Sequence, residues 1–149
     1  MKNRNLNHKD DWKTPTALLQ ELNKEFKFDF DPCPYQCTTF DGLKIGWGKS
    51  NFINPPYSLK LKEAFIRKAF EESKKGKLCV MLLPVSTSTK IFHEVIYPNA
   101  EIRFLKGRVK FAGVNTKGIY VTNNCGMHDS MIVIFRGKQH NKNCFFEIN

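Results

Sequence analysis

Residues 54–57 read Asn54-Pro55-Pro56-Tyr57, and they are the groups in this chain best suited to gripping a weak nucleophile. Two consecutive prolines remove two backbone donors and fix φ, so the segment is neither a helix interior nor a central strand. Phe52 and Ile53 just before it read as the end of a buried strand. A stiff loop at a strand's carboxyl end, carrying an amide and an aromatic ring, is where open α/β sheets place ligands. The exocyclic amine of a nucleobase is a poor nucleophile because its lone pair is delocalised into the ring. Two fixed acceptors, one facing each N–H, favour a pyramidal and more reactive nitrogen. The Asn54 side-chain oxygen and the Pro55 carbonyl are two such acceptors, and proline stiffness keeps them aimed. Tyr57 offers a ring to stack on a base that has left its duplex. The plain alternative is a turn, since Pro and Asn are common turn residues.

Other short segments stand in a suggestive order around this loop. Trp12-Lys13-Thr14-Pro15 and Phe28-Asp29-Phe30-Asp31-Pro32-Cys33 precede it, while Leu82-Leu83-Pro84 and Gly107-Arg108-Val109-Lys110-Phe111 follow. Taken together, from about Trp12 to about Phe135, the chain resembles the small phage-type DNA N6-adenine methyltransferases. The resemblance implies S-adenosylmethionine as methyl donor and DNA as partner, with Asn54, Pro55, Pro56 and Tyr57 as the catalytic loop. It also implies that Trp12, Thr14, Pro15, Asp31, Pro32 and Cys33 surround the cofactor, with Asp31 facing its ammonium or ribose. One departure is visible. Larger methyltransferases follow the acidic residue with a Gly-rich loop that lets backbone approach the cofactor, whereas this chain has Pro34-Tyr35-Gln36.

Composition agrees with a nucleic-acid partner. Twenty-four Lys and Arg against fourteen Asp and Glu leave a formal charge of +10, which attracts polyanions in a salt-sensitive way. Lys106, Arg108 and Lys110 form a basic turn suited to phosphate contact. Hydrophobic content of 41% and charged content of 26% are ordinary for a globular protein. No apolar run is long enough for a membrane span, and residues 1–11 lack the apolar stretch of a secretory signal. The five cysteines, an odd number without a signal, suit reduced thiols in a cytoplasmic compartment of a bacterial host. Cys33 and Cys37, with Cys125 and His128, lack the tight pairs of a structural zinc site, and no metal is expected.

The surrounding elements are read from periodicity. Leu18, Leu19, Leu22 and Phe26 predict a helix over 14–26, with Thr14 as N-cap and Pro15 at the first helical position. Its N-terminus is suited to an anionic group such as a carboxylate. Phe26, Phe28 and Phe30 alternate as in a half-buried strand. A helix over 61–74 is expected with a solvated Lys/Glu/Arg outer face. Residues 78–83 read as a strand buried on both faces, and Ser86 to Ser88 as the cap of a helix through Ile96. His93 on that helix reads as structural. Strands are expected over 100–105 and 131–135, with Cys144 to Ile148 as a possible edge strand. Residues 112–129 show no period and are taken as a long substrate-recognition loop.

The expected architecture is an α/β, abbreviated Rossmann-like methyltransferase fold, with a mostly parallel sheet and flanking helices. A flexible arm over 1–11 would precede a single domain over 12–149. Residues 35–50 are too few for two further βα units. Gly48-Lys49-Ser50 is not a phosphate loop, because position 43 is Leu43 and not glycine. Three functions remain open on sequence: adenine-N6 methylation of DNA, the same chemistry on cytosine N4 or on RNA adenine, and a catalytically silent nucleic-acid-binding protein. The oligomeric state and the recognition sequence are not legible.

Overall fold

The structure is a computed structural model that describes residues 11–115, 117–126 and 128–137. The expected arm, apart from Asp11, and the edge strand expected at 144–148 lie outside the described residues.

Helix α1 (Thr16–Phe26) starts one residue later than a Thr14 cap requires. Pro15 itself holds the cap position, with extended backbone, and its carbonyl accepts the first helical hydrogen bond, from Leu19. Thr14 is drawn into the interior instead. The extended ψ of Pro15 (134°) is what keeps it out of the helix and moves the start to Thr16. At the far end Lys27 turns left-handed (φ 50°) and the Asn23 side chain accepts the Phe28 N–H, closing the last turn.

Four strands form the main sheet, β1 (Ser50–Ile53), β2 (Leu78–Pro84), β3 (Ala100–Phe104) and β6 (Ser130–Phe135), in the order β1-β2-β6-β3. β1 and β2 are parallel, but β6 lies antiparallel between β2 and β3. The sheet is therefore mixed, not mostly parallel. Three strands do share one direction. The fourth is reversed because the chain reaches it from a separate hairpin, β4 (Lys110–Val114) and β5 (Tyr120–Cys125). That hairpin replaces most of the long loop expected over 112–129. The strand expected near Phe28 is reduced to one parallel bridge, Phe30 to Asn51, beside β1.

Burial follows the two-residue period of the strands. Cys79, Met81 and Leu83 of β2, with Met131, Val133 and Phe135 of β6, face helix α2 (Leu59–Lys74) and its Phe65, Ile66 and Ala69. Val80, Leu82, Ile132 and Ile134 face the other way, toward Leu22 and Phe26 of α1 and toward Val109 and Phe111. The result is three layers, with β2 and β6 buried in the middle and β3 at a partly exposed edge.

Two expectations about helices need correcting. The outer face of α2 is not wholly solvated: Glu72 is buried, takes the ammonium groups of Lys68, Lys75 and Lys77, and its carboxylate also accepts the Trp47 N–H. Beyond β2, the helix is capped at Thr89, whose Oγ1 accepts the Phe92 N–H, and not at residues 86–88. It widens to a π turn at Phe92–Ile96 before a short α3 (Tyr97–Asn99). Pro98 has no N–H to give to the preceding turn and its ring crowds that turn's carbonyl, a sufficient cause for the widening. Among the described residues, no helix is long and apolar enough to cross a membrane.

Candidate active site

Two loops leave the sheet side by side. The Phe30–Asn51 bridge aligns residues 29–30 with β1, so Asp31 and Asn54 emerge from the carboxyl ends of neighbouring parallel segments. This is the ligand-bearing edge of an open α/β sheet. In the Asn54 loop both prolines are buried, while Asn54 and Tyr57 are half-buried.

The Asn54 amide has a defined direction. Its Nδ2 donates to the Trp12 carbonyl at 2.7 Å. A backbone carbonyl can only accept, so the NH2 end must face Trp12. Oδ1 is then turned away as an acceptor, and no described residue donates to it. Trp12 is held in turn. Its neighbour Lys13 exchanges backbone hydrogen bonds with Ala112 of β4, at 2.7 and 3.2 Å. Sequence reasoning placed Trp12 with the cofactor; the structure puts its carbonyl on Asn54, a link across 42 positions that no local pattern announces.

Tyr57 turns toward the hairpin. Its ring meets Phe111 edge-on, with centroids 5.8 Å apart and planes 86° apart. Its hydroxyl is buried and has no hydrogen-bond partner among the described residues. Burial pushes the phenol well above its usual range.

On the neighbouring loop, Asp31 Oδ1 accepts the Cys33 N–H at 2.8 Å and tightens the turn. Pro32 and Cys33 are buried under it. The glycine missing from this turn is supplied from further along the chain. A Cβ on Gly42 would lie 1.9 Å from the Pro32 carbonyl oxygen, so only glycine lets the two backbones meet.

Asp31 lines a pocket of ≈ 430 Å³ between α1 and the strand edge. Leu19, Phe28, Phe30 and Phe52 form its apolar wall, and Thr16, Gln20, Asn23 and Asp29 its polar one. Of the six residues expected around a cofactor, only Asp31 is among these. Thr16, Gln20 and Asn23 recur at helical spacing and border the apolar stripe of α1, the one sequence signal that could have found them.

The loop after Asp31 also reaches the hairpin. Asp11 Oδ2 accepts the Gln36 N–H at 2.9 Å. Burial, then the nearby Asp11 and Tyr120, push the Tyr35 phenol up. Tyr120 and its neighbour Ile119 are 54% and 58% exposed at the hairpin tip. That tip is organised by the Asn115 side chain, which accepts the N–H groups of Lys117 and Ile119. At the hairpin's entry Lys106, Arg108 and Lys110 are exposed while Val109 and Phe111 point inward, so alternation puts the three cations on the solvent side. Arg108 makes only a long 3.8 Å contact with the exposed Asp129. Cys37 donates to the Phe40 carbonyl and Cys79 lies in the core, where burial pushes its thiol up to about 12. His93 bonds the Thr87 carbonyl at 2.6 Å.

Comparison with known proteins bears on these features. A curated relative from Escherichia phage T1, named DNA N-6-adenine-methyltransferase, is 32% identical over 110 residues. That alignment covers 66% of this chain and 45% of the relative, so the chain spans less than half the length of the curated relative it matches. The profile of the family described as DNA N-6-adenine-methyltransferase (Dam) matches residues 2–149. The chain belongs to the DNA N-6-adenine-methyltransferase (Dam) family.

Proposed function

We propose that this chain transfers the methyl group of S-adenosylmethionine to the N6 amine of adenine in DNA, on an abbreviated Rossmann-like methyltransferase fold. The observation that carries it is the direction of the Asn54 amide: its donor end is committed to the Trp12 carbonyl, which leaves its oxygen as an acceptor. An acceptor held in this way is what an aromatic amine needs. Family membership names the base and the nucleic acid.

The pocket beside Asp31 fits the methyl donor in chemical character. Its aromatic wall suits an adenine ring, and the carboxylates of Asp31 and Asp29 suit an ammonium group or ribose hydroxyls. When bound, S-adenosylmethionine supplies an electrophilic methyl group on a sulfonium. Asn54 Oδ1 and the Pro55 carbonyl accept from the two N6 hydrogens and free the nitrogen lone pair. The freed nitrogen would take that methyl group, the donor leaving as a thioether, and one N6 proton would pass to water. Pro56 keeps the loop rigid. Tyr57, its plane set by Phe111, offers a stacking surface for the extruded base. Lys106, Arg108 and Lys110 contact DNA phosphates. The place of action is the cytoplasm of the bacterial host.

The test is incubation with labelled S-adenosylmethionine and, in parallel, DNAs and RNAs of varied sequence, followed by nucleoside analysis. N6-methyladenine is the expected product. N4-methylcytosine, label on RNA alone, or no label from folded protein would each overturn the proposal. Asn54→Ala is expected to lower transfer by about 10²-fold or more with the melting temperature retained. Near-normal turnover would mean that another group accepts from the amine.

A further inference from the structure

Residues 11–13 form a strap with three anchorages. Trp12 holds Asn54 through its carbonyl, Lys13 is bridged to Ala112 of β4, and Asp11 is bonded to the Gln36 N–H in the loop after Asp31. The anchorage on the hairpin depends on one residue. A Cβ at Gly113 would lie 2.7 Å from Trp12 Cε3, 3.1 Å from the Asp11 carbonyl oxygen and 3.2 Å from Trp12 Cζ3. No side chain fits there, so the strap can lie against the β4 backbone only where β4 has none. The pairing of β4 with β5 is also irregular at this point, between Phe111 and Gly113. Two residues of β4 there span three of β5, so the register of the ribbon shifts beside the strap.

We propose that Gly113 is a positioning residue, which couples the β4–β5 hairpin through the Trp12 backbone to the Asn54 amide. Seating of DNA on the hairpin thereby sets the acceptor at the reacting nitrogen. This rests on the methyl-transfer reading above. The coupling is short: one backbone bridge, one peptide unit and one hydrogen bond separate the hairpin from Asn54. A displacement of about 1 Å at the strap breaks the 2.7 Å bond and frees the amide to rotate. Misplacement on that scale costs a reaction as much as about 10²-fold in rate.

The test is Gly113→Ala in the full chain, read in two ways. In ¹⁵N–¹H spectra the Asn54 side-chain amide pair, assigned by its loss in Asn54→Ala, should move toward free-amide shifts while the core resonances stay in place. In methylation assays kcat should fall about tenfold or more, while KM for DNA and for S-adenosylmethionine stays within about twofold. Trp12→Phe added to Gly113→Ala removes the ring atoms that clash and should restore the Asn54 resonances. The double variant also serves where Gly113→Ala alone does not fold. A folded Gly113→Ala protein with an unchanged Asn54 amide, a loss confined to KM, or a double variant that restores nothing would overturn the coupling. A wild-type protein with a protected Asn54 amide and no methyl transfer would overturn the proposed activity while supporting the strap.

Discussion

Strands β5 and β6 are separated by four residues and live in opposite environments. Every residue of β6 is buried, between two neighbouring strands and two layers of side chains. Thr122, Asn123 and Asn124 of β5 are exposed, and among the described residues the strand pairs with β4 alone. An isolated two-stranded ribbon is marginal in water. This one is tied to the domain by Phe111 and Val109 beneath it and by the Lys13–Ala112 bridge at its side. The contrast separates two duties. The four-stranded sheet holds most of the buried strand surface and places the carboxyl-end loops, whereas the hairpin leaves its cations and a small apolar tip exposed.

Three experiments test that division, the largest effect first. Phe135→Ala, at the fully buried last residue of β6, is expected to cost about 3–5 kcal/mol, whereas Tyr120→Ala at the hairpin tip should stay within about 0.5 kcal/mol. Denaturant melts compare them, and equal losses would show that the hairpin is a structural pillar after all. Replacing Lys106, Arg108 and Lys110 together by Ala should leave the melting temperature alone. It should flatten the dependence of log DNA affinity on log salt by up to about 3, and an unaltered slope would remove the phosphate contacts from this turn.

The smallest effect is confined to acid. Burial alone would push the Glu72 carboxyl up, but hydrogen bonds from Lys77 and Lys75, the Trp47 N–H and Lys68 outweigh it and hold the group at about 2. The folded state therefore binds this proton less readily than the unfolded chain. The resulting stabilisation is complete above the ordinary value of 4.5 and is lost as the pH falls toward 2. Glu72→Gln should flatten the stability profile across that window, and an unchanged acid limb would assign the loss to other carboxylates.

Where a residue's environment is set by its near neighbours, the sequence alone was a good guide. The helix expected over 61–74 is Leu59–Lys74, and the strand expected over 78–83 is Leu78–Pro84, because stripe and run lengths carry both. Asn54 stood out because paired prolines leave few conformations for what precedes them. Glu72 was misread because its burial comes from Trp47 and Lys77, which the helix pattern does not contain. The direction of β6 depends on a hairpin whose second strand is polar and exposed at Thr122, Asn123 and Asn124, so no apolar run announces it. The pocket wall on α1 was missed for a related reason: Thr16, Gln20 and Asn23 look like any polar flank until Phe28 and Phe52 are set opposite them.

The position of β6 has a consequence for biosynthesis. It is the last described strand to leave the ribosome, yet it belongs between β2 and β3. Until it arrives, the apolar run of β2 has an unpaired edge and β3 has no partner at all. A nascent chain halted before Ser130 thus carries the most aggregation-prone surface of the molecule. The four-stranded sheet is complete only once β6, the last of its described strands, lies between β2 and β3.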